Sequence, residues 1–169
     1  MRLVRFMDAS STIHFGEDRG DGTATLLAGD PYTGLTPTDR TAAIARRLAP
    51  IEPANIFCIG LNYAAHAKEG GQEPPDKPVI FMKPTSALNH PDTPIVIPDV
   101  CDNEVDYECE LAVVIGRAAR NVSEDAALDH VLGYTAANDV SARKWQRHGG
   151  GGQWIRGKGF NGFCPLGPA

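Results

Sequence analysis

The 169-residue sequence contains no run approaching the roughly 18 uninterrupted apolar residues that a membrane-spanning helix needs. It also lacks a Cys-x-x-Cys pair. Cys58, Cys101, Cys109 and Cys164 stand apart, without the spacing of a zinc site. We expect free thiols, mostly buried as small apolar groups, with a disulfide as the alternative. Nothing near them marks the depressed pKa of a nucleophilic cysteine. The Gly-x-Ser-x-Gly elbow and the His-Glu-x-x-His helix are both missing, which leaves serine-hydrolase and zinc-protease chemistry without support. Lys and Arg nowhere gather into a run, and the net charge is −5, so nucleic acid is not an expected partner. Met1 to Phe6 alternate like a strand and do not resemble a signal peptide, which gives a cytoplasmic expectation.

What is present is the composition of a globular protein, 42% hydrophobic and 22% charged. Residues 1–50 read as a small leading module. Strands at Leu3–Phe6 and Thr23–Leu27 flank the turn-rich Gly16–Gly22 stretch. A helix is predicted from Thr36, with Pro37 at its first position, Asp39 in its first turn and Ile44, Ala45 and Leu48 as its buried stripe. Pro50 and Pro53 end it and mark the module boundary. Residues 51–169 change to short apolar runs between Pro and Gly. Strands are expected at Ile56–Ile59, Val79–Met82, Ile95–Ile97, Glu110–Ile115 and Tyr134–Ala137. Ser123 should cap a helix with Glu124 and Asp125 in its first turn and Gly133 at its end. Many strands and few helices indicate an α+β, mainly β fold. Gly149–Gly152 reads as a flexible loop, and His148 beside it as a surface residue.

The densest chemistry lies at Asp106-Tyr107-Glu108-Cys109-Glu110, ahead of the apolar run Leu111–Ile115. Strand alternation points Glu108 and Glu110 the same way, about 7 Å apart, with Asp106 extending the row. Like charges on one face are either a solvated outer surface or the oxygen ligands of a hard divalent ion. Because Leu111–Ile115 is apolar on both faces, we expect the strand to run into the core, where carboxylates must be paired or metal-bound. Asp139 ends another apolar strand and is either a turn residue or a further ligand. His66 and Glu69 stand i, i+3 on one helical turn. They are either a surface contact or a carboxylate-oriented imidazole able to take a proton from water. Gly157-Lys158-Gly159-Phe160-Asn161-Gly162 matches the dinucleotide Gly-x-Gly-x-x-Gly spacing, but Pro165 and Pro168 follow where a helix is required. The glycines are read instead as allowing close backbone approach to a ligand, with Lys158 as a point charge for an anion.

Together these segments resemble the fumarylacetoacetate hydrolase family. Four stretches carry the match: Gly60-Leu61-Asn62-Tyr63 with His66 and Glu69, Val105–Gly116, Gly133–Arg143, and Gln153-Trp154 through Lys158 to Pro168. Phe81-Met82-Lys83-Pro84 also looks like the family's. The likeness covers residues 50–169. It implies a mixed β-sandwich or β-roll core, homodimers, and a bound Mg²⁺, with Mn²⁺ or Ca²⁺ as alternatives. By motif position Glu108, Glu110 and Asp139 are the implied metal ligands, and His66 and Glu69 the water-activating pair. Lys158 is implied to neutralise substrate charge, and Tyr63, Arg143 and Lys158 to bind substrate. The implied substrates are small 2-oxo or 1,3-diketo acids such as acylpyruvates. The implied reactions are hydrolytic C–C cleavage, oxaloacetate decarboxylation, tautomerisation, or isomerisation and hydration of hydroxy-dienedioates.

Two departures qualify the transfer. Asn161 stands where the family usually has Asp, removing one charge near the site. The family pattern also continues well past Pro168. The expectation is therefore either a fragment of a longer enzyme or a shortened, catalytically silent member of the family.

Overall fold

The computed structural model describes residues 1–69, 71, 73, 75–101, 104–149 and 151–169, apart from the side chains of His66, Ala67 and Glu69. The architecture is mainly β, as expected. The leading segment folds as one antiparallel sheet, ordered β4-β3-β2-β1-β5. Its strands are β1 (Leu3–Met7), β2 (Ile13–Asp18), β3 (Thr23–Asp30), β4 (Gly34–Ala43) and β5 (Arg46–Leu48). Val4, Phe6, Ala24 and Leu26 form its core, with Ala42 and Ile44 packed against them.

The helix predicted from Thr36 is not there. Those residues form β4, an edge strand in which Pro37 lies opposite Leu27 beside a register shift. An edge position tolerates the missing proline donor, and Thr36, Thr38 and Thr41 are β-branched. Ala45 is exposed while Leu48 is buried in β5, so the proposed helical stripe dissolves.

The rest of the chain is built from two-stranded ladders. β6 (Ile56–Gly60) pairs with β7 (Val79–Lys83), and a short helix, α1 (Ala64–Glu69), follows β6. β8 (Leu88–Asn89) runs parallel to β13 (Cys164–Pro165). β9 (Val105–Asp106) pairs with β12 (Ser141–Ala142), and β10 (Cys109–Ile115) with β11 (Val131–Asn138). A second short helix, α2 (Ile155–Lys158), precedes β13. Two cores hold these pieces. One is Ala49, Ala87, Cys164 and Leu166; the other is Cys101, Val140, Ala142 and Phe163.

Three local expectations fail for identifiable reasons. Ile95–Ile97 is irregular, because Pro94 and Pro98 take ladder donors from both ends. Glu124–His130 is a 3₁₀ helix from which the Ser123 side chain accepts no cap bond, and Gly133 lies inside β11. β10 is not buried on both faces. Leu111, Val113 and Ile115 are exposed, while Glu110, Ala112 and Val114 point to the half-buried side. Cys58, Cys109 and Cys164 are free thiols; Cys101 and Cys164 are buried, Cys58 half-buried and Cys109 exposed. No helix among the described residues is long and apolar enough to cross a membrane.

The leading sheet is tied to the remainder through residues 46–52. Arg5 contacts Glu52, Arg46 donates to Thr93 Oγ1 at 3.3 Å, and the Ala49 amide donates to His90 Nδ1 at 3.1 Å. That last bond requires an unprotonated Nδ1. Burial, then the charges of Arg46 and Arg5, hold the His90 pKa below its ordinary value near 6.5. A base whose folded pKa is depressed stabilises the fold fully above its unfolded pKa. That contribution is lost as pH falls through 6.5 towards the folded value. Thermal melts between pH 8 and pH 5 should therefore fall more steeply for wild type than for His90→Asn. Parallel curves would refute the linkage.

Candidate active site

The antiparallel register assembles the acids. Cys109 lies opposite Asn138, so the residues one step beyond, Glu108 and Asp139, meet at the mouth of the β10–β11 ladder. The Asp139 amide donates to the Glu108 carbonyl at 3.0 Å, and the Glu108 amide to Asn138 Oδ1 at 3.2 Å. β9 adds Asp106 from the flank, and Arg143 follows directly on its partner strand β12.

Lys158, 2% exposed at the end of α2, sits among these acids. Its ammonium donates to Glu108 Oε2 at 2.8 Å, Asp139 Oδ2 at 2.7 Å and Ser141 Oγ at 2.7 Å. All three of its protons are thereby used. Arg143 reaches Glu108 Oε1 at 2.6 Å and Asp106 Oδ2 at 2.9 Å. Lys83, at the end of β7, donates to Asp139 Oδ1 at 2.5 Å and to the Val140 carbonyl at 3.1 Å. Lys158 is thus buried between carboxylates, and is not held out as a free point charge. Gly157 and Gly159 pack against protein: a Cβ on Gly157 would meet Gln146 N at 2.5 Å and Ala142 O at 2.6 Å.

Glu110 is held differently. Among the described residues its one hydrogen bond comes from Asn62 Nδ2, at 3.3 Å. Burial raises its pKa, and the charges of Glu108 and Asp139 raise it further, so the three carboxylates share one electrostatic neighbourhood. They are not a finished ligand set. Among the described residues, no three His, Cys, Asp or Glu side chains are gathered closely enough to hold a metal ion. The physical reason is that Lys158 occupies the space between Glu108 and Asp139, and Lys83 and Arg143 hold their other oxygens. The donor chemistry still suits a hard divalent cation, being all carboxylate oxygen. Among the described residues, four acids (Asp106, Glu108, Glu110 and Asp139) face three cations (Lys83, Arg143 and Lys158), a deficit of one positive charge.

Glu110 and Asp139 open onto a cleft of about 680 Å³, a size suited to a small molecule. Asn62, Lys83, Glu110 and Asp139 form its polar end, and β6, β10 and β11 its apolar walls. Cys58, also on this cleft, has its pKa pushed up to about 12 by burial and then by Asp139, which makes it inert as a nucleophile. Tyr63 is 45% exposed on the turn before α1. His66 and Glu69 lie on α1, but their side chains fall outside the described residues. His148 is exposed.

The structure adds three residues to which the sequence assigns no role. Lys83 carries a signal, a lone charge closing an apolar strand just before Pro84. Ser141 and Asn62 carry none, because a single hydroxyl or amide in a turn has too many uses.

The fumarylacetoacetate hydrolase C-terminal family model matches residues 55–169, and an Rv2993c-like N-terminal model matches residues 1–49. The chain is 52% identical over 123 residues to a mitochondrial oxaloacetate tautomerase fahd2 of Xenopus laevis, covering 72% of this chain and 38% of that protein. It is 47% identical over 148 residues to protein Rv2993c of Mycobacterium tuberculosis, covering 86% of this chain and 55% of that one. Among solved structures, a 5-carboxymethyl-2-hydroxymuconate delta-isomerase from Mycobacterium smegmatis superposes with a TM-score of 0.86 at 41% identity. That match covers 99% of this chain and 65% of the isomerase. The chain spans between 38% and 55% of the length of the two curated relatives named here. With family-model coverage of residues 55–169 and these identities, the chain belongs to the fumarylacetoacetate hydrolase family.

Proposed function

We propose that this chain carries the reaction centre of an enzyme acting on a small 2-oxo acid, with a divalent cation, Mg²⁺ or a similar ion, held by Glu108, Glu110 and Asp139. The observation that carries the reading is the charge deficit at Glu110, a half-buried carboxylate with one amide donor beside two other acids. A cation there would polarise the substrate carbonyl. The chain's own groups supply the rest. Arg143 and Lys158 meet the negative charge of the acid and of its reacting oxygen. Lys158 does so by exchanging one of its three present acceptors for the substrate. The proton transfer is assigned to His66 and Glu69, the i, i+3 pair on α1.

Relatives named as an oxaloacetate tautomerase and a muconate isomerase favour proton relocation between enol and keto forms of such an acid. Hydrolytic C–C cleavage of an acylpyruvate is the second reading, and needs His66 to activate water. The two are separated by incubating the protein and Mg²⁺ with oxaloacetate, followed as loss of enol absorbance, and with an acylpyruvate, followed as pyruvate release. Turnover of neither would sink both readings.

The cation is tested by calorimetric titration with Mn²⁺, and binding should vanish in Glu108→Gln. Glu110→Gln should lose binding too, yet gain stability when no metal is present. The folded state raises the Glu110 pKa above 4.5, so its ionised form at neutral pH opposes folding, and the penalty disappears below that pH. We expect the metal-free variant to melt about 1–3 °C above wild type at pH 7 and level with it at pH 4. A lower melting temperature at pH 7 would contradict this account.

A further inference from the structure

We infer that Lys83 is a positioning residue of this site: it holds Asp139 from behind, so that the other carboxylate oxygen seats Lys158 against Glu108. The inference concerns the residues around Asp139 and rests on the functional reading only in treating that cluster as the reaction centre.

Lys83 is 1% exposed, and although it borders the polar end of the cleft, its ammonium is already engaged by Asp139 and Val140. A buried ammonium is costly unless paired and hydrogen-bonded. Methionine would fill the same volume without that cost, so a purely packing role does not explain lysine here. Its contacts do. Nζ donates to Asp139 Oδ1 and to the carbonyl of the next residue, Val140. Those two acceptors fix both the rotation of the carboxylate and the backbone that carries it. Oδ2 is thereby left facing Lys158, while Ser141 Oγ donates back to the Asp139 carbonyl at 2.9 Å.

The same strand face braces Lys158 a second time. Residues 81 and 83 share one side of β7. The Phe81 ring lies 5.2 Å from Lys158 Nζ and meets Trp154 edge-on at 5.4 Å. The inner face of β7 therefore supports Lys158 directly through Phe81 and indirectly through Lys83 and Asp139. Partners that hold a liganding carboxylate typically change affinity or activity 10–100-fold when removed.

The test reads Lys158 itself. Native protein is labelled briefly with trace acetic anhydride at fixed pH, and each lysine is quantified by mass spectrometry, with exposed Lys77 as internal reference. In Lys83→Met, Lys158 should label at least 10-fold faster than in wild type, and Lys83→Arg, which keeps charge and donors, should restore most of the protection. Lys158 is the buried lysine that remains in Lys83→Met, so a merely structural loss is recognised by the failure of Lys83→Arg to restore protection. If Lys83→Met does not fold, Asp139→Asn is read instead, and Lys83 labelling should rise by a similar factor. Unchanged Lys158 labelling in folded Lys83→Met, or unchanged Lys83 labelling in Asp139→Asn, overturns the inference. Mn²⁺ titration of the same samples is read separately. Wild type that fails to bind Mn²⁺ refutes the metal reading and leaves the labelling result for Lys83 standing. Binding weakened 10–100-fold in Lys83→Met supports both.

Discussion

Lys158→Met is expected to lower the melting temperature by on the order of 10 °C and to reduce turnover of any oxo-acid substrate at least 100-fold. The size of the first effect follows from burial. Lys158 is 2% exposed, and Glu108 and Asp139 are only 13% and 9% exposed in their side chains. Solvent screening, which reduces surface ion pairs to a fraction of a kcal/mol, is largely absent here. Removing one partner of a buried network leaves the others charged and unpaired, a loss of roughly 3–5 kcal/mol. Arg143 still holds Glu108 and Lys83 still holds Asp139, so the lower end of that range applies. For a chain of this length each kcal/mol moves the midpoint by roughly 2–4 °C. Part of the loss should return in Lys158→Met/Glu108→Gln, where a neutral amide replaces the stranded carboxylate. A double-mutant cycle measured by thermal melts checks this. A single variant melting within about 2 °C of wild type would show that the ammonium does not hold the cluster together.

Much of this site is legible in the sequence, and the reasons for the rest are physical. Strand alternation puts Glu108 and Glu110 on one side, and both are indeed half-buried while Cys109 between them is exposed. What alternation cannot reveal is pairing. Asp139 meets Glu108 only because β10 and β11 are neighbours in one register, and a one-residue slip would carry either acid to the opposite face. The partners of Lys83 are hidden for the same reason, because Asp139 and Val140 lie in the turn just after β11. The Thr36 helix fails on another level. Pro37 and Asp39 satisfy local helix-start rules, but a meander that needs a fourth strand overrides them. The apolar run Leu111–Ile115 reads as buried on both faces, yet β10 pairs only with β11 and leaves alternate residues exposed. Hydrophobic pattern reports what a strand can bury, not what lies against it.

Gly157→Ala tests whether Lys158 is aimed by packing as well as by charge, and a single methyl should be enough to mis-aim it. The added Cβ would lie 2.5 Å from Gln146 N, 2.6 Å from Ala142 O and 2.8 Å from Gln146 Cα. These are backbone atoms of β12 and the segment that follows it, so no side chain can swing away, and α2 itself must retreat. Overpacking of this kind costs about 1–3 kcal/mol, equivalent to several °C at this chain length. The functional loss should exceed what that stability change explains, because the next residue is Lys158. Its three hydrogen bonds of 2.7–2.8 Å do not survive a displacement of an ångström. We expect turnover to fall 10–100-fold at temperatures where the variant is fully folded. Gly133→Ala makes the same chemical change in β11, where a Cβ meets nothing within 4 Å, and should leave both melting temperature and turnover near wild type. If the two variants behave alike, the α2–β12 contact does not aim Lys158. The ammonium would then find its three acceptors by charge alone, along a lysine stem flexible enough to absorb the shift.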